Sequence, residues 1–450
     1  MTAESPDATI ERLLAENERL RQRLSAIEGL SGPRIDKTAL DRSSSPNDTP
    51  TRKKKAKLSR NDIHRYSRHL LLPEISVEGQ LGIVNSSMLV VGAGGLGSPA
   101  CLYLASAGVG RIGVVDYDEV EVSNLQRQVI HDEERVGLSK STSATIAMTR
   151  INSQIECIAY NYLLDRSTAL DLIKQYDIVL DCSDNPPTRY LLNDACVLAG
   201  KPLVSGAALR FEGQLTVYNH HGSPCYRCVF PAPPPPETVT NCGDGGVFGP
   251  VTGIVGTIQA LEALKIAAGV EPAYCGKLLM VDAMSGAFRT IRLRGKRKEC
   301  VACGDGATLT GLETDYEMWC GMKANDKTQS LAVLKQEDRI SVDAYNRVRV
   351  AKTPHVLIDT RPLVQTKICA LDNSLNIPID ELESRLSEVE EAVHAGQGEL
   401  PVYCICRRGN DSQLAVQHIR TKFPSLAVVK DVEGGLEAWR RKVDPEWPEY

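Results

Sequence analysis

The spacing of hydrophobic residues divides the chain into segments of different character. In residues 1–30, positions three and four residues apart form one seam, made of Ile10, Leu13, Asn17, Leu20, Leu24 and Ile27. This spacing predicts an N-terminal helix, which either forms a short coiled coil or packs on its own domain. Both interpretations stay open because a coiled coil of so few heptads is only marginally stable by itself. Residues 31–60 have almost no apolar content, which is typical of a flexible linker. Their basic run, Arg52–Lys57, favours a solvated tail over a nuclear signal or an RNA contact.

The pattern changes at Met88, where the segment MLVVGAGGLGSPACLYLASAGVGRIGVVD begins. It predicts an apolar strand, a glycine turn, a helix and a second apolar strand that ends at Asp116, which is a βαβ unit. A further strand in YDIVLDCSD ends at Asp184, a helix covers about 188–199, and KPLVSGAA is another strand. Residues 61–305 are therefore predicted to form an α/β domain with a Rossmann-like, doubly wound sheet.

Two stretches interrupt the regular pattern further along the chain. The run PAPPPPETVTNCGDGG favours neither a helix nor a central strand, so it predicts a mobile crossover that carries Cys242. Residues 306–330 have few apolar clusters, which predicts a second linker or a loosely attached strip. A smaller α/β domain then follows over 331–450, with strands in HVLIDTR, LPVYCIC and LAVVKDVEGG and helices in DSQLAVQHIRTKF and LEAWRRK.

Composition limits the function classes. A length of 450 residues suggests two or three domains, and the net charge of -5 argues against nucleic-acid binding through global charge. No apolar run is long enough for a membrane span, and the start has no secretion signal. We therefore expect a cytoplasmic protein whose 14 cysteines are thiols or metal ligands rather than disulfides.

The first candidate site is the glycine turn Gly92–Gly97, which fits G-x-G-x-x-G between a strand and a helix. Glycine lets a phosphate approach the backbone N–H groups, and Asp116 at the end of the next strand can accept from ribose hydroxyls. Alone, these features indicate a nucleotide, with NAD(P) or FAD as the default. Two cations, Arg127 and Lys140, together with Asp184–Asn185 at a strand end, favour a reacting triphosphate and Mg²⁺ instead. The alternatives are surface ion pairs for the cations and a helix N-cap for Asp184.

Cysteines supply the other candidate sites. Two C-x-x-C pairs about seventy residues apart can together hold a structural zinc ion, which we favour over a redox role: Cys225, Cys228, Cys300 and Cys303. Cys242 lies in a glycine- and proline-rich loop, which favours a reactive thiol over core filler. Cys406 ends a strand and begins a loop whose amides, helix dipole and two arginines would stabilise a thiolate or persulfide, whereas Cys404 fits a strand residue.

These residues resemble two known families. From about Arg65 to Cys303 the chain resembles the MoeB/ThiF family, the activating enzymes for ubiquitin-like proteins, through RYSRHLLLPE, VGAGGLGSPACLYLASAGVG, VDYDEVEVSNLQRQVIH, LDCSDN, LVSGAALRFEGQLTVY and CYRC. From about Ser330 it resembles a rhodanese domain, through VLIDTR, CRRGNDSQ and GGLEAW. The two in this order are similar to eukaryotic adenylyltransferase and sulfurtransferase enzymes that serve molybdenum-cofactor synthesis and tRNA thiolation.

The resemblance implies roles for individual residues. The ATP-contacting positions would be Gly95, Asp116, Ser123, Asn124, Leu125, Gln126, Arg127 and Lys140, with Asp184 and Asn185 at the magnesium and nucleotide position. Arg68 matches an arginine that reaches the triphosphate from a partner subunit, which implies a homodimer. The four C-x-x-C cysteines match zinc ligands, Cys242 an acyl-accepting cysteine and Cys406 a persulfide carrier. The rhodanese loop continues with Arg407, Arg408, Gly409, Asn410 and Asp411. The acidic Asp411 departs from simple rhodaneses, which suggests a sulfur acceptor other than cyanide or a simple thiol and leaves the physiological donor open.

The resemblance also implies an overall reaction. Mg·ATP would adenylate the C-terminal glycine of a ubiquitin-like sulfur carrier, and a rhodanese persulfide would convert the carrier to a thiocarboxylate. The sulfur donor would be a cysteine desulfurase or another rhodanese. The product would serve wobble-uridine thiolation, molybdopterin synthesis or protein conjugation, without direct tRNA binding. Two other function classes make different predictions. An NAD-dependent oxidoreductase with a regulatory rhodanese module would release no pyrophosphate, and a non-catalytic scaffold predicts a loop without the nucleophile Cys406.

Overall fold

A computed structural model describes residues 53–235, 245–325, 333–395 and 399–450, which divide into two compact units on either side of the Ala324–Asn325 bond. The predicted N-terminal helix, Arg52 and Cys242 lie outside the described residues. In the described part of the chain, no helix combines the length and the apolar character needed to cross a bilayer.

The first unit is built on an eight-stranded sheet. Its strands are β1 (Ser87–Val91), β2 (Arg111–Val115), β3 (Glu156–Tyr160), β4 (Ile178–Asp181), β5 (Leu203–Leu209), β6 (Glu212–Tyr218), β7 (Lys277–Asp282) and β8 (Ala287–Arg292). Its helices are α1 (Arg60–Arg65), α2 (Ser67–Leu70), α3 (Ser76–Asn85), α4 (Gly97–Ala107), α5 (Lys140–Ile151), α6 (Ala169–Lys174), α7 (Pro186–Ala199), α8 (Tyr226–Val229), α9 (Gly249–Ala267) and α10 (Tyr316–Cys320), with 3₁₀ turns at Val122–Asn124 and Glu133–Arg135.

The strand order is β3-β2-β1-β4-β5-β6-β7-β8. Strands β3 to β5 in this order are parallel, which confirms the predicted doubly wound fold, and β6, β7 and β8 continue the sheet in antiparallel fashion. Because neighbouring residues of a strand face opposite sides, β1 supplies both cores: Met88 and Val90 face the helices α4 and α9, while Leu89 and Val91 face α6 and α7.

The second unit is a smaller α/β domain with a five-stranded parallel sheet in the order β11-β10-β12-β13-β9. Its strands are β9 (Arg339–Ile340), β10 (Val356–Asp359), β11 (Ser374–Asn376), β12 (Val402–Ile405) and β13 (Val429–Val432). Its helices are α11 (Val342–Val350), α12 (Leu363–Thr366), α13 (Leu386–His394), α14 (Asp411–Lys422) and α15 (Gly435–Lys442), with 3₁₀ helices at Gln336–Asp338 and Ile379–Arg385.

Local hydrogen bonds move two predicted boundaries. Strand β4 stops at Asp181 rather than Asp184, because the Asp181 carboxylate accepts from the Ser183 N–H at 3.1 Å and turns the chain. Helix α7 starts at Pro186 rather than near 188. Its N-cap is Asn185, which accepts from the Thr188 N–H at 3.0 Å, and its first position is a proline.

Parts of both predicted linkers belong to the first unit. Lys55, in the basic run, exchanges backbone hydrogen bonds with the Asn85 side chain at 2.7 and 2.9 Å and pairs with Asp62 at 2.9 Å. Within 306–330, helix α10 packs on α7 and buries Tyr316 and Cys320. The sequence missed this packing because only a few apolar residues in the stretch carry it.

A buried ion pair joins α7, α8 and α10. Arg227 donates to both carboxylate oxygens of Asp194 at 2.7 Å, and the Tyr316 hydroxyl donates to the same carboxylate at 2.8 Å. The guanidinium also lies over the rings of Trp319 and Tyr190, at 4.4 and 5.1 Å from their centroids. The carboxylate is fully buried, so its charge depends on these donors.

We expect Asp194→Ala to lower the free energy of unfolding of the first unit by about 3–5 kcal/mol, because it leaves the Arg227 charge buried without a partner. Urea unfolding followed by tryptophan fluorescence measures the change. The matched control is Asp171→Ala, which breaks an exposed ion pair with Lys174 and should leave stability nearly unchanged. Equal effects of the two substitutions would contradict the prediction.

Candidate active site

Strand register places the candidate nucleotide residues along one edge of the first sheet. Val91 of β1 pairs with Val115 of β2 on one side and with Asp181 of β4 on the other. The chains leaving these three strands stay together, since the Gly92 N–H donates to the Val115 carbonyl at 2.8 Å and the Cys182 N–H to the Val91 carbonyl at 2.9 Å. The glycine turn, Asp116 and the segment before Asp184 therefore begin side by side at the carboxyl edge, where α/β sheets bind ligands.

Most glycines of the turn have no space for a side chain, whereas Gly94 does. Gly92 has a φ of +97°, and a side chain at Gly97 would meet the Gly92 carbonyl oxygen at 1.9 Å. Gly95 approaches Thr252 of α9, where an added Cβ would lie 2.8 Å from the hydroxyl. A Cβ added at Gly94 would meet only the Gln128 amide nitrogen, at 3.7 Å, which is an ordinary van der Waals contact. The turn can thus present its backbone N–H groups to a ligand on the Gly94 side.

Backbone N–H groups of the glycine turn and of the chain after β2 hold the Asp116 carboxylate in place. Its carboxylate accepts from the Ala93 N–H at 2.7 Å and from the Asp118 N–H at 2.8 Å. Burial raises the pKa of Asp116, and the nearby Lys140 and the two backbone donors counteract this. Each oxygen keeps a further lone pair, so the group can still accept from a ligand hydroxyl.

Lys140 is a buried cation at the start of α5. Its Nζ lies 3.0 Å from the Asp118 carboxylate, and its backbone N–H donates to the Asp118 carbonyl at 2.7 Å. The side chain is only 8% exposed, so the alternative of a surface ion pair does not describe it. Because Asp118 is two residues from Asp116, this contact brings the cation to the same strand end.

The segment 123–127 lies against the start of α9. Arg127 donates to the Asn124 side chain at 3.0 Å and to the Ser123 carbonyl at 3.4 Å, while a Cβ on Gly249 would meet the Gln126 carbonyl oxygen at 2.4 Å. Asn124 is buried, Leu125 and Arg127 are half-buried, and Ser123 and Gln126 are exposed. The start of α9, which follows Cys242 in the chain, therefore packs against the candidate nucleotide segment 123–127.

Asp184 and Asn185 follow β4, with Asp184 exposed and Asn185 used as the α7 N-cap. The buried Asp181, which the sequence analysis missed, accepts from the hydroxyls of Ser183 at 2.6 Å and Ser205 at 2.8 Å. Arg68, in α2, is exposed, and no described contact joins it to the glycine turn.

His131 is a second residue that the sequence analysis missed. Its ring bonds the Ala93 carbonyl at 3.0 Å and the Ser143 hydroxyl at 2.8 Å, so it ties the glycine turn to α5. Burial lowers the pKa of His131 to about 4, which keeps the ring neutral near pH 7. A lone histidine between two elements carries no spacing signal, so only the structure identifies it.

The two C-x-x-C pairs meet in space. The sulfur–sulfur distances are 3.8 Å for Cys225–Cys228, 3.6 Å for Cys225–Cys300 and 3.4 Å for Cys228–Cys303. Around a tetrahedral zinc ion with Zn–S bonds of about 2.3 Å, sulfur atoms lie about 3.8 Å apart. The four sulfurs lie within 4.8 Å of one another, so the cluster could hold a metal ion. Although burial opposes charge, the Cys303 and Ala302 amides lower the pKa of Cys300, which favours a thiolate ligand.

In the second unit, Cys406 opens the loop between β12 and α14. The Gly409 N–H donates to its sulfur at 3.0 Å, and the Ser412 hydroxyl lies 3.5 Å away. Gly434 and Gly435 press against this loop, since a Cβ on Gly435 would meet the Cys406 carbonyl oxygen at 2.3 Å. The loop thus gives the Cys406 sulfur donors that strand-bound Cys404 does not have among the described hydrogen bonds.

The charge environment of Cys406 differs from the expected one. Burial, then the charge of Asp411, raise the pKa of the thiol, and the hydrogen bonds from Ser412 and Gly409 only partly counteract them. The two arginines lie beside Glu437, at 3.0 Å for Arg408 and 3.9 Å for Arg407, which offsets their charge. At neutral pH the free thiol is therefore mostly protonated.

Comparison with known proteins agrees with this architecture. The ThiF family model matches residues 66–302, and the model of the rhodanese-like domain matches 343–442. The chain is 55% identical over 408 residues to adenylyltransferase and sulfurtransferase MOCS3 of Sus scrofa, covering 88% of this chain and 89% of that protein. The Drosophila yakuba protein of the same name is 51% identical over 405 residues, with 90% and 88% covered. A solved structure of E. coli MccB with MccA-N7isoASN has a TM-score of 0.49 and 22% identity over 55% of this chain and 75% of that one.

The raised pKa of Cys406 predicts that its alkylation by iodoacetamide reaches half its maximal rate at a higher pH than that of an exposed cysteine. Asp411→Asn removes a negative charge that disfavours the thiolate, so it should lower this midpoint and speed alkylation at pH 7. Peptide mass spectrometry measures the rate at Cys406 alone. The control is Asp372→Asn, at an exposed acidic residue of the same unit, which should leave the pH midpoint of alkylation unchanged. If Asp411→Asn also leaves this midpoint unchanged, the prediction is wrong.

Proposed function

Because the chain belongs to the ThiF family, carries a rhodanese-like domain and is an adenylyltransferase and sulfurtransferase, we propose that it activates a ubiquitin-like sulfur carrier. It adenylates the carrier's C-terminal glycine with ATP and converts that glycine to a thiocarboxylate. The observation that carries the proposal is that one chain combines a glycine turn flanked by Asp116 and Lys140 with a strand-to-loop cysteine, Cys406, whose sulfur accepts a loop N–H.

The adenylation step uses the carboxyl edge of the first sheet. The carrier's carboxylate attacks the α-phosphorus of ATP, a new C–O–P anhydride forms, and pyrophosphate leaves. The N–H groups of the glycine turn and the cations of Lys140 and Arg127 offset phosphate charge, while Asp116 accepts from the ribose hydroxyls. Exposed Asp184 holds the Mg²⁺ of the substrate Mg·ATP, and Asn185 lies beside it. Gly95 and the segment 123–127 complete the nucleotide site.

A second copy of the chain completes this site. Exposed Arg68 reaches the triphosphate of its partner in a homodimer, which is consistent with its lack of described contacts to the turn of its own chain. The cation would add to the charge that Lys140 and Arg127 supply within one chain.

The sulfur-transfer step uses two cysteines. Cys242 attacks the acyl adenylate, forms a thioester and releases AMP. The Cys406 persulfide then attacks the thioester carbonyl, which frees Cys242 and forms an acyl disulfide on Cys406. A further thiolate, from Cys242 or from an external thiol, attacks the Cys406 sulfur, which releases the thiocarboxylate and leaves a disulfide on Cys406; an external dithiol reduces that disulfide. Arg407, Arg408, Gly409, Asn410 and Asp411 form the loop around the persulfide.

The cluster of Cys225, Cys228, Cys300 and Cys303 would hold a zinc ion. Four thiolates are a donor set that zinc prefers, and the sulfur separations fit a tetrahedral ion. The ion would supply only structural stabilisation, by joining α8 to the chain that enters the second unit.

The carrier supplies sulfur for tRNA wobble-uridine thiolation or molybdopterin synthesis, or is conjugated to other proteins. The enzyme does not bind tRNA itself. A persulfide from a cysteine desulfurase or another rhodanese loads Cys406. A cytoplasmic location suits this chemistry, because it needs reduced thiols.

The proposal predicts that the enzyme with Mg·ATP, thiosulfate, a dithiol and a candidate carrier ending in glycine increases the carrier's mass by the replacement of one oxygen with sulfur. Cys406→Ala should abolish this increase but keep ATP–pyrophosphate exchange, whereas Cys404→Ala, the neighbouring strand cysteine, should keep both. Lys140→Ala should lower the exchange roughly 10²–10³-fold, with exposed Lys174→Ala as its control. Thiocarboxylate formation by the Cys406→Ala variant, or loss of exchange in Cys242→Ala, contradicts the proposed division of labour.

The zinc site predicts one zinc ion per chain in the purified protein, measured by elemental analysis. Cys300→Ser should remove the ion and lower the melting temperature by several degrees, because the remaining buried thiols lose the link between distant segments. Cys275→Ser changes a half-buried cysteine outside the cluster and should retain the ion. Zinc retained in the Cys300→Ser protein would overturn the assignment.

A further inference from the structure

Tyr450 contacts the cysteine loop of the second unit although it is far from the loop in sequence. The guanidinium of Arg407, the residue after Cys406, lies over the Tyr450 ring at 5.1 Å from its centroid. The hydroxyl accepts from Nη1 of Arg361 and donates to the Gln365 side chain at 3.4 Å. One aromatic residue thus contacts the first cation of the loop and a second arginine.

Arg361 gives Tyr450 a fixed attachment point. It is 1% exposed, donates to the Asp359 carboxylate from Nε at 2.9 Å and donates to the Cys369 carbonyl at 2.8 Å. Asp359 ends β10 and pairs in register with Ile405, the residue before Cys406. The attachment point therefore belongs to the same sheet edge as the reactive sulfur, so the position of the Tyr450 ring is set relative to that sulfur.

Arg407 also has a charged partner, because its Nε lies 3.9 Å from the Glu437 carboxylate. The Arg407 guanidinium thus has both the Tyr450 ring and the Glu437 carboxylate within reach, and these two residues line a cavity of about 270 Å³ together with Arg440, Arg441 and Trp447. Glu437 and Glu449 also line the cavity and are paired with Arg408 and Arg440. The cavity shares Arg407 with the Cys406 loop, and its three arginines outnumber its two glutamates, so a small anionic ligand suits it.

We propose that Tyr450 is a positioning residue of the sulfurtransferase site, which holds Arg407 where it attracts anionic sulfur donors to Cys406. The proposal rests on the proposed function, in which Cys406 carries the sulfur. In the step that it assists, the Cys406 thiolate attacks the outer sulfur of thiosulfate, a Cys406 persulfide forms, and sulfite leaves with the electron pair of the broken S–S bond. Arg407 offsets the charge of the approaching dianion.

The test measures thiosulfate–cyanide sulfurtransferase kinetics of the full chain. Tyr450→Leu removes the ring and the hydroxyl and should raise the KM for thiosulfate roughly three- to tenfold, with a smaller change in kcat. Tyr450→Phe keeps the ring over Arg407 but loses the hydroxyl that Arg361 holds, so it should raise the KM less than Tyr450→Leu does. Tyr103→Leu, at an exposed tyrosine of the first unit, is the matched control and should match the wild type.

A charge-selective readout separates positioning from general damage to the fold. Peptide mass spectrometry compares alkylation of Cys406 by the anion iodoacetate and by neutral iodoacetamide. Tyr450→Leu and Arg407→Gln should each lower the iodoacetate-to-iodoacetamide rate ratio, and the double variant should lower it no further. Equal changes with both reagents, or additive effects, would show a merely structural role and overturn the inference.

Failure of the proposed function has a different signature. If Cys406→Ala retains thiosulfate–cyanide activity, the sulfur carrier is misassigned, and the proposed function is wrong at that step. If Cys406→Ala is inactive while Tyr450→Leu keeps the wild-type KM and rate ratio, only the role of Tyr450 is wrong.

Discussion

The candidate nucleotide site depends on the alignment of parallel strand ends in the first sheet. Val91 pairs with Val115 and Asp181, so three loops leave the sheet at one level. Backbone hydrogen bonds then continue the ladder past the strands, from Gly92 to Val115 and from Cys182 to Val91. A shift of one residue in β1 would turn Met88 and Val90 to the opposite core and displace the glycine turn from Asp116. The register of β1 with its two neighbours therefore determines both the packing of the core and the position of the candidate nucleotide site.

A second constraint operates around the cysteine cluster. A buried ion pair is tolerated only when its remaining hydrogen-bonding capacity is used, and Asp194 meets this condition with Arg227 on both oxygens and Tyr316 on one of them. Arg227 lies between Cys225 and Cys228 in α8. The interaction that fixes the arginine therefore also anchors the short helix between the two cysteines, and it anchors α10, which precedes the second unit.

The environment of Cys406 balances protection against reactivity. The side chain is 1% exposed and its pKa is raised by burial and by Asp411, which keeps the free thiol protonated and slow to oxidise. The Gly409 N–H and the Ser412 hydroxyl point at the sulfur and stabilise negative charge once it forms. The loop donors therefore favour the anionic form of Cys406, which is its nucleophilic form.

Local patterns were sufficient to predict the two α/β domains, the glycine turn, the meeting of the two C-x-x-C pairs and the position of Cys406 where a strand passes into a loop, because each depends on periodicity, on short spacing or on the strand-to-loop transition. The sequence could not show the antiparallel strands β6 to β8, the packing of α10 or the part of the basic run that lies on Asn85, since these depend on few apolar residues or on single hydrogen bonds. Nor could it identify His131, Asp181 or Tyr450, whose partners are distant in the chain. Sequence determined which elements form, whereas the tertiary structure alone decided which polar groups meet, because burial and charge act through distances that only packing sets.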